Sequence, residues 1–116
     1  MEVFIVGFFD FFSNITEEIN VYANKGMEMD IMELIHQISK SSKKAQMMGY
    51  ANALKKKFNK LDEEGADNSD LIRYFDYGWE ARHNQMVIVS AMLPVMQRRG
   101  LASKEGGRII REYRNY

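Results

Sequence analysis

The segment Met86–Met96 constrains the fold of this chain more than any other stretch. It reads MVIVSAMLPVM and has no charged residue and no polar face. A helix that is apolar on every side must be surrounded by protein or by lipid. Eleven residues are too few to cross a bilayer, which takes about 20. We therefore expect protein to surround this segment.

The segment lies in the second half of a predicted helix that spans residues 69–99. Apolar-face residues recur at helical spacing in its first half, and they are Leu71, Ile72, Phe75, Trp79, His83 and Met86. A straight helix of this length would extend about 46 Å, whereas a compact chain of this size has a radius of gyration of about 13 Å. We therefore expect a bend or a dimer. Pro94 has no N–H for the Ser90 carbonyl, which predicts a kink or an early end near it.

Glycines and cap residues place the other helices and predict an all-α fold. Gly26, Gly65 and Gly100 fall where left-handed residues would end helices, and Asp30 followed by Glu33 marks a helix start. The predicted fold is one domain over residues 1–116, a helical bundle. Its three main helices cover about 8–25, 30–63 and 69–99, and a short basic helix covers about 103–114.

Two parts of this fold stay open. The polar residues Ser39–Ser42 interrupt the region 30–63, which is either one bent helix or two helices, and we favour one. Residues 1–7 form either a short extended segment or a fraying first turn. The first helix could also begin at Asn14, because Asn14 and Glu17 resemble a capping box.

Charge alternates along a chain whose net charge is zero. The net charge is −6 over residues 1–39, +7 over 40–60, −6 over 61–80 and +5 over 81–116. Acids near helix starts and bases near helix ends complement the helix dipole, which gives this alternation a structural cause. The chain has no cysteine, and its start lacks the positive region of a signal peptide. We expect a cytoplasmic protein without disulfides.

Two Glu-x-x-His pairs have the spacing that di-iron carboxylate bundles use twice. They are Glu33–His36 and Glu80–His83. Glu33 and His36 lie on the opposite side of their helix from Ile31, so they point away from the predicted core. His83 falls on the apolar face and is predicted to be partly buried. We expect no metal site and no cofactor, and a small metal-binding bundle stays a lesser hypothesis.

Basic residues cluster in two regions near aromatic side chains, which is the pattern of a nucleic-acid surface when the bases share one side of the fold. The candidate contacts are Lys43, Lys44, Lys55, Lys56, Arg98, Arg99, Arg108 and Arg111. The lysines spread around their helix, so solvated faces and dipole complements explain them as well. Nucleic-acid binding through Lys43–Lys60 and Arg98–Arg114 is our alternative hypothesis.

The favoured hypothesis is a non-catalytic module that binds another protein, as an adaptor, inhibitor, chaperone or regulator, and that forms a homodimer. Three neighbouring helices can hardly cover every side of Met86–Met96. Methionine is also common on adaptable binding surfaces. The predicted partner or self-association residues are Met86, Val89, Leu93, Met96, Met47 and Met48. Replacing Val89 and Leu93 with Glu should abolish association or folding.

Enzyme activity and membrane insertion are not expected. The sequence contains no recognisable nucleophile–base set and no phosphate-binding glycine loop. The aromatic cluster Phe8–Phe12 could form an interfacial helix, but Asp10, Glu17 and Glu18 lie on its polar side. Such helices usually carry Lys or Arg there.

Overall fold

A computed structural model describes residues 15–101 of the chain. Within that range the chain forms five helices and no strand. We name them α1 (residues 15–26), α2 (Ile31–Ser39), α3 (Lys44–Glu63), α4 (Asn68–Trp79) and α5 (Gln85–Arg98). The all-α prediction is confirmed over this range. Residues 1–14 and the predicted helix at 103–114 lie outside the described residues.

The region 30–63 is two helices, α2 and α3, so our preference for one bent helix is wrong. The serines after α2 explain the break. Ser39 Oγ donates to the His36 carbonyl at 2.7 Å and Ser41 Oγ donates to the Gln37 carbonyl at 2.7 Å. Hydroxyls that bond nearby carbonyls in this way compete with continuation of the helix. Lys43 is extended, with φ −93° and ψ 133°, and α3 begins after it.

The region 69–99 is also two helices, and the break lies at residues 80–84 rather than at Pro94. Asn84 has a left-handed φ of 58°, which ordinary helical residues do not adopt but Asn tolerates. Its Nδ2 donates to the carbonyls of Ile38 at 2.8 Å and Ser41 at 3.0 Å. A contact distant in sequence therefore fixes the break, while Pro94 lies inside α5. Two shorter helices pack against each other, so the length of 69–99 gives no reason to expect a dimer.

The core forms where α2, α3, α4 and α5 meet, and α5 contributes more buried apolar residues than any other described helix. The buried apolar side chains are Ile31, Leu34, Ile35, Ile38, Tyr50, Ala53, Leu54, Phe58, Leu71, Phe75, Ile88, Val89, Ala91, Met92, Val95 and Met96. The predicted apolar face of α2 is thus confirmed. In α4, Leu71 and Phe75 are buried and Trp79 is half-buried. His83, in the 80–84 break, and Met86, in α5, are exposed.

Two glycines inside helices let neighbouring helices approach closely. A Cβ on Gly49 of α3 would lie 2.5 Å from the Ile19 carbonyl oxygen of α1. A Cβ on Gly78 of α4 would lie 2.7 Å from Ile88 Cγ2 of α5. A Cβ at either distance would clash. The absence of a side chain at these two glycines therefore allows the close spacing of both helix pairs.

The predicted caps are correct at three of the four signals. Asp30 Oδ1 accepts a hydrogen bond from the Glu33 N–H at 2.8 Å, and Gly65 and Gly100 are left-handed, with φ of 78° and 69°. Gly26 differs. It is the buried last residue of α1 and faces Ala53 Cβ and Leu34, so it serves close packing instead of a left-handed stop.

Candidate functional site

The apolar segment Met86–Met96 is covered mainly by its own chain. Six of its residues are buried, and they are Ile88, Val89, Ala91, Met92, Val95 and Met96. Met86 and Ser90 remain exposed and Val87, Leu93 and Pro94 are half-buried. One copy therefore leaves part of the segment uncovered, but it covers more of the segment than expected. Dividing each predicted long helix into two is the physical reason, because it supplies more neighbours around α5 than three long helices would.

The predicted association residues separate into an inner and an outer group. Val89 and Met96 are each only 1% exposed, so they belong to the core and have no surface to offer a partner. Met47 and Leu93 are half-buried. Met86 and Met48 are the outer pair, with 60% and 39% of their surface exposed.

Met86 forms part of an open groove between α3 and α5. We call this surface the α3–α5 groove, and its lining residues are Ala51, Asn52, Lys55, Met86, Val87, Ser90 and Ala91. It encloses about 400 Å³ and is open to solvent. α3 and α5 run side by side with their carboxyl ends together, because Arg98 Nη2 bonds Asn59 at 3.0 Å and Asp62 at 2.9 Å. The groove therefore follows two parallel helices.

The α3 wall of the groove has a regular pattern that the sequence analysis did not use. Lys44, Met48, Ala51 and Lys55 are spaced i, i+4, i+7 and i+11, which places them along one stripe of a helix. The core side chains Tyr50, Ala53 and Leu54 lie on other sides of it. The predicted helix over 30–63 contains the same spacing, so the stripe could have been found from the sequence.

A second depression of similar volume lies between α2 and α4. Its exposed apolar members are Met32 and Tyr77, and its other lining residues are Ser69, Ile72, Arg73, Asp76 and Glu80. Acidic side chains outnumber basic ones here. The α3–α5 groove has the opposite character, because Lys55 is its sole charged lining residue.

Two of the predicted nucleic-acid contacts are tied into the fold. Asp62 Oδ1 accepts from Arg99 Nε at 2.6 Å, and Asp62 Oδ2 accepts from Arg98 Nη2 at 2.9 Å. Arg99 also donates to the Asn68 side chain and to two backbone carbonyls. The hydrogen bonds from Arg99 and then Arg98 hold the pKa of the Asp62 carboxyl below its ordinary value. These contacts fasten the carboxyl end of α5 to that of α3.

The four lysines of that set, Lys43, Lys44, Lys55 and Lys56, are all exposed. Lys44 and Lys55 share one stripe of α3, whereas Lys43 and Lys56 lie on other sides of it. Arg108 and Arg111 lie outside the described residues. The cations of the nucleic-acid hypothesis are therefore spread over the described surface instead of forming one continuous patch with Arg98 and Arg99.

The two histidines do not sit in a ligand-rich site. His36 and His83 are both exposed, so the prediction of a partly buried His83 is wrong. His83 lies within the 80–84 break, where the helical spacing that placed it on the apolar face no longer applies. Across residues 15–101, no three His, Cys, Asp or Glu side chains are grouped closely enough to share a metal ion.

Comparisons of the chain with known protein-family models, with curated proteins and with solved structures found no match. Among the helices of residues 15–101, none combines the length and the apolar character that crossing a membrane requires. The fold and the groove are thus the observations on which a function can be argued.

Proposed function

We propose that this protein is a non-catalytic interaction module that binds another protein through the α3–α5 groove. The observation that carries the proposal is the exposure of Met86 on a helix whose other large apolar side chains are buried or half-buried. An exposed unbranched side chain beside small residues such as Ala51, Ser90 and Ala91 leaves a concave apolar strip. Strips of this kind accept the apolar face of a partner helix.

Methionine suits such a surface because its side chain is flexible and polarisable, and it adapts to different neighbours. Met86 lines the groove from α5, and Met48 lies about one turn before the lining residue Ala51 on the same stripe of α3. Truncating the outer end of a groove-lining side chain removes contacts with a partner but few contacts within the fold. Replacement of Met86 should therefore separate binding from stability, which replacement of the buried Val89 cannot do.

The homodimer remains a prediction, but the argument for it changes. Cover for Met86–Met96 no longer requires a second copy, because most of the segment is buried within one chain. A dimer would have to form through exposed residues such as Met48 and Met86. Light scattering of the wild type and of Met86→Glu measures this directly, and a mass that falls by half in the variant would assign the groove to self-association.

The proposal is tested by a photo-crosslinking residue placed at position 86 in the cells that make the protein. The matched control is position 21, because Val21 is 61% exposed and Met86 is 60% exposed, but Val21 lies on α1. We expect one defined crosslinked protein from position 86, none of it from position 21, and loss of the crosslink when Met48→Glu is added. Equal crosslinking from both positions, or no effect of Met48→Glu, would contradict the proposal.

Nucleic-acid binding is the weaker alternative on one observation. Arg98 and Arg99 donate hydrogen bonds to Asp62, Asn59 and Asn68. Contacts with phosphates would compete for the same N–H groups. Binding that relies on phosphates weakens steeply with salt. Any nucleic-acid affinity that is unchanged between about 50 and 200 mM salt would exclude this alternative.

A further inference from the structure

We propose that the partner helix is acidic at both ends of a short apolar stripe. This inference rests on the proposed function, since it names the kind of partner that the α3–α5 groove accepts. Its starting observation is the charge of the groove. Among the described residues that line it, Lys55 is the one charged residue and none is acidic.

A second exposed lysine, Lys44, lies on the same stripe of α3 beyond the residues that line the groove. Lys44 lies eleven positions before Lys55 on the stripe that also carries Met48 and Ala51, and both lysines are exposed. Eleven residues of helix rise about 16 Å. The stripe therefore presents a cation, about three turns of apolar and small side chains, and then a second cation.

The opposite wall adds no charge of either sign. From Gln85 to Gln97, α5 has no acidic or basic residue. Beyond it, Arg98 is bound to Asp62, so the acid at that end is already neutralised. A partner with basic residues along its contact stripe would meet two lysines and find no described acid in the lining to offset them.

The complementary occupant is an amphipathic helix with apolar residues at i, i+4 and i+7 that contact Met86, Val87 and Ala91. Acids about three turns apart on that helix would meet Lys44 and Lys55. Exposed ion pairs contribute modestly to affinity, at most about fivefold each. They do more for partner choice, because like charges placed together are unfavourable. The lysines therefore select the partner, and the apolar strip provides most of the contact.

The test uses two designed helical peptides of about 18 residues, long enough to follow the groove for about 27 Å. Both have leucines at i, i+4 and i+7, and one has Glu where the other has Lys at two flanking positions spaced to meet Lys44 and Lys55. Binding to the full chain is measured by calorimetry or by anisotropy of a labelled peptide. We expect the acidic peptide to bind and the basic peptide to bind at least about tenfold more weakly.

Charge reversal on the protein provides the decisive comparison. The double variant Lys44→Glu/Lys55→Glu should lose about tenfold in affinity for the acidic peptide and gain affinity for the basic one. The matched control is Lys40→Glu/Lys56→Glu, which makes the same change in net charge at two exposed lysines that lie off the stripe of Lys44, Met48, Ala51 and Lys55. Its peptide preference should stay that of the wild type. Circular dichroism establishes that each variant is folded.

Different failures have different meanings. If both peptides bind equally and charge reversal changes nothing, while Met86→Glu abolishes binding of both, the acidic partner is wrong and the groove remains. If neither peptide binds, and crosslinking at position 86 matches that at position 21, the groove itself is wrong. If Met86→Glu converts a dimer to a monomer, the occupant is a second copy of the chain, which also overturns an acidic partner.

Discussion

The inner and outer sides of α5 share one sequence segment but differ in what they do. The inner side carries Val89, Met92 and Met96, which are buried among α2, α3 and α4. The outer side carries Met86 and Ser90, which are exposed. Because the segment has no charge from end to end, composition alone does not distinguish the two sides. The comparison shows that one apolar helix can be buried in the core on one side and exposed on the other.

The largest effect should come from a charge on the inner side. Val89→Glu places a carboxylate where the exposed fraction is 1%, and an unpaired buried charge is strongly unfavourable. We expect a loss of more than about 4 kcal/mol in the free energy of unfolding, measured by urea denaturation, and little folded protein at 25 °C. A stable Val89→Glu variant would show that the inner side is not enclosed.

The second effect concerns the spacing between α4 and α5. Gly78→Val adds a branched side chain where even a Cβ would lie 2.7 Å from Ile88 Cγ2 and 2.6 Å from Met92 Cε. Overpacking of this kind typically costs about 1–3 kcal/mol. Thermal and urea unfolding should both show the loss. Gly65→Ala is the comparison for a glycine with open space around it, where the cost comes from its positive φ alone.

The third effect concerns how the start of α5 is held. Asn84→Ala removes the two hydrogen bonds to Ile38 and Ser41 and leaves those carbonyls without this donor, which costs about 1–3 kcal/mol. Asn84→Gly loses the same bonds but adopts a left-handed φ without strain. The alanine variant should therefore be the less stable of the two. Equal stability would mean that backbone strain at this position is negligible.

The fourth effect concerns the other end of α5 and depends on pH. The pKa of Asp62 is lowered by Arg99 and Arg98 from an ordinary value of 3.8. The folded state therefore binds a proton there less readily than the unfolded state, and stability rises with pH through this range. The contribution is complete above pH 3.8 and is lost as pH falls through the lower folded pKa. Asp62→Asn should be less stable than the wild type at pH 7, with the difference narrowing in strong acid.

The smallest effect on stability should come from the outer side. Met86→Glu changes a side chain that is 60% exposed, and surface substitutions of this kind usually alter stability by less than about 0.5 kcal/mol. Unfolding curves should nearly coincide with the wild type while partner binding is lost. A large loss of stability would show that Met86 belongs with the inner side.

Local signals allowed parts of this fold to be predicted from the sequence. The Asp30 cap depends on residues three positions apart, and the left-handed glycines at 65 and 100 depend on the absence of a Cβ at one position. The apolar stripe of α2 is likewise a property of consecutive turns. Each of these is decided by neighbours in the chain, so each is readable without the tertiary structure.

The errors arose where distant residues decide the local conformation. Asn84 interrupts the predicted helix 69–99, and its side chain donates to the carbonyls of Ile38 and Ser41. No short window of sequence contains these three residues. The same missing break misplaced His83. It also made Val89 and Met96 look available to a partner, because the extra helices that cover them were not foreseen. The helical spacing placed Met86 on the apolar face, whereas it is 60% exposed. Lys55, which lines the α3–α5 groove, was named only for the nucleic-acid hypothesis.

The double hydrogen bond of the Asn84 amide joins the two interruptions of the chain, since Ile38 and Ser41 flank the α2–α3 junction and Asn84 ends the α4–α5 junction. Neither connection can open alone without releasing the other, so both should exchange their amide protons as one cooperative unit. Insertions or new chain termini introduced at either junction would then loosen both helix pairs at once. The connection at residues 64–67 is held in a different way, because Arg99 at the end of α5 donates to the Ala66 carbonyl.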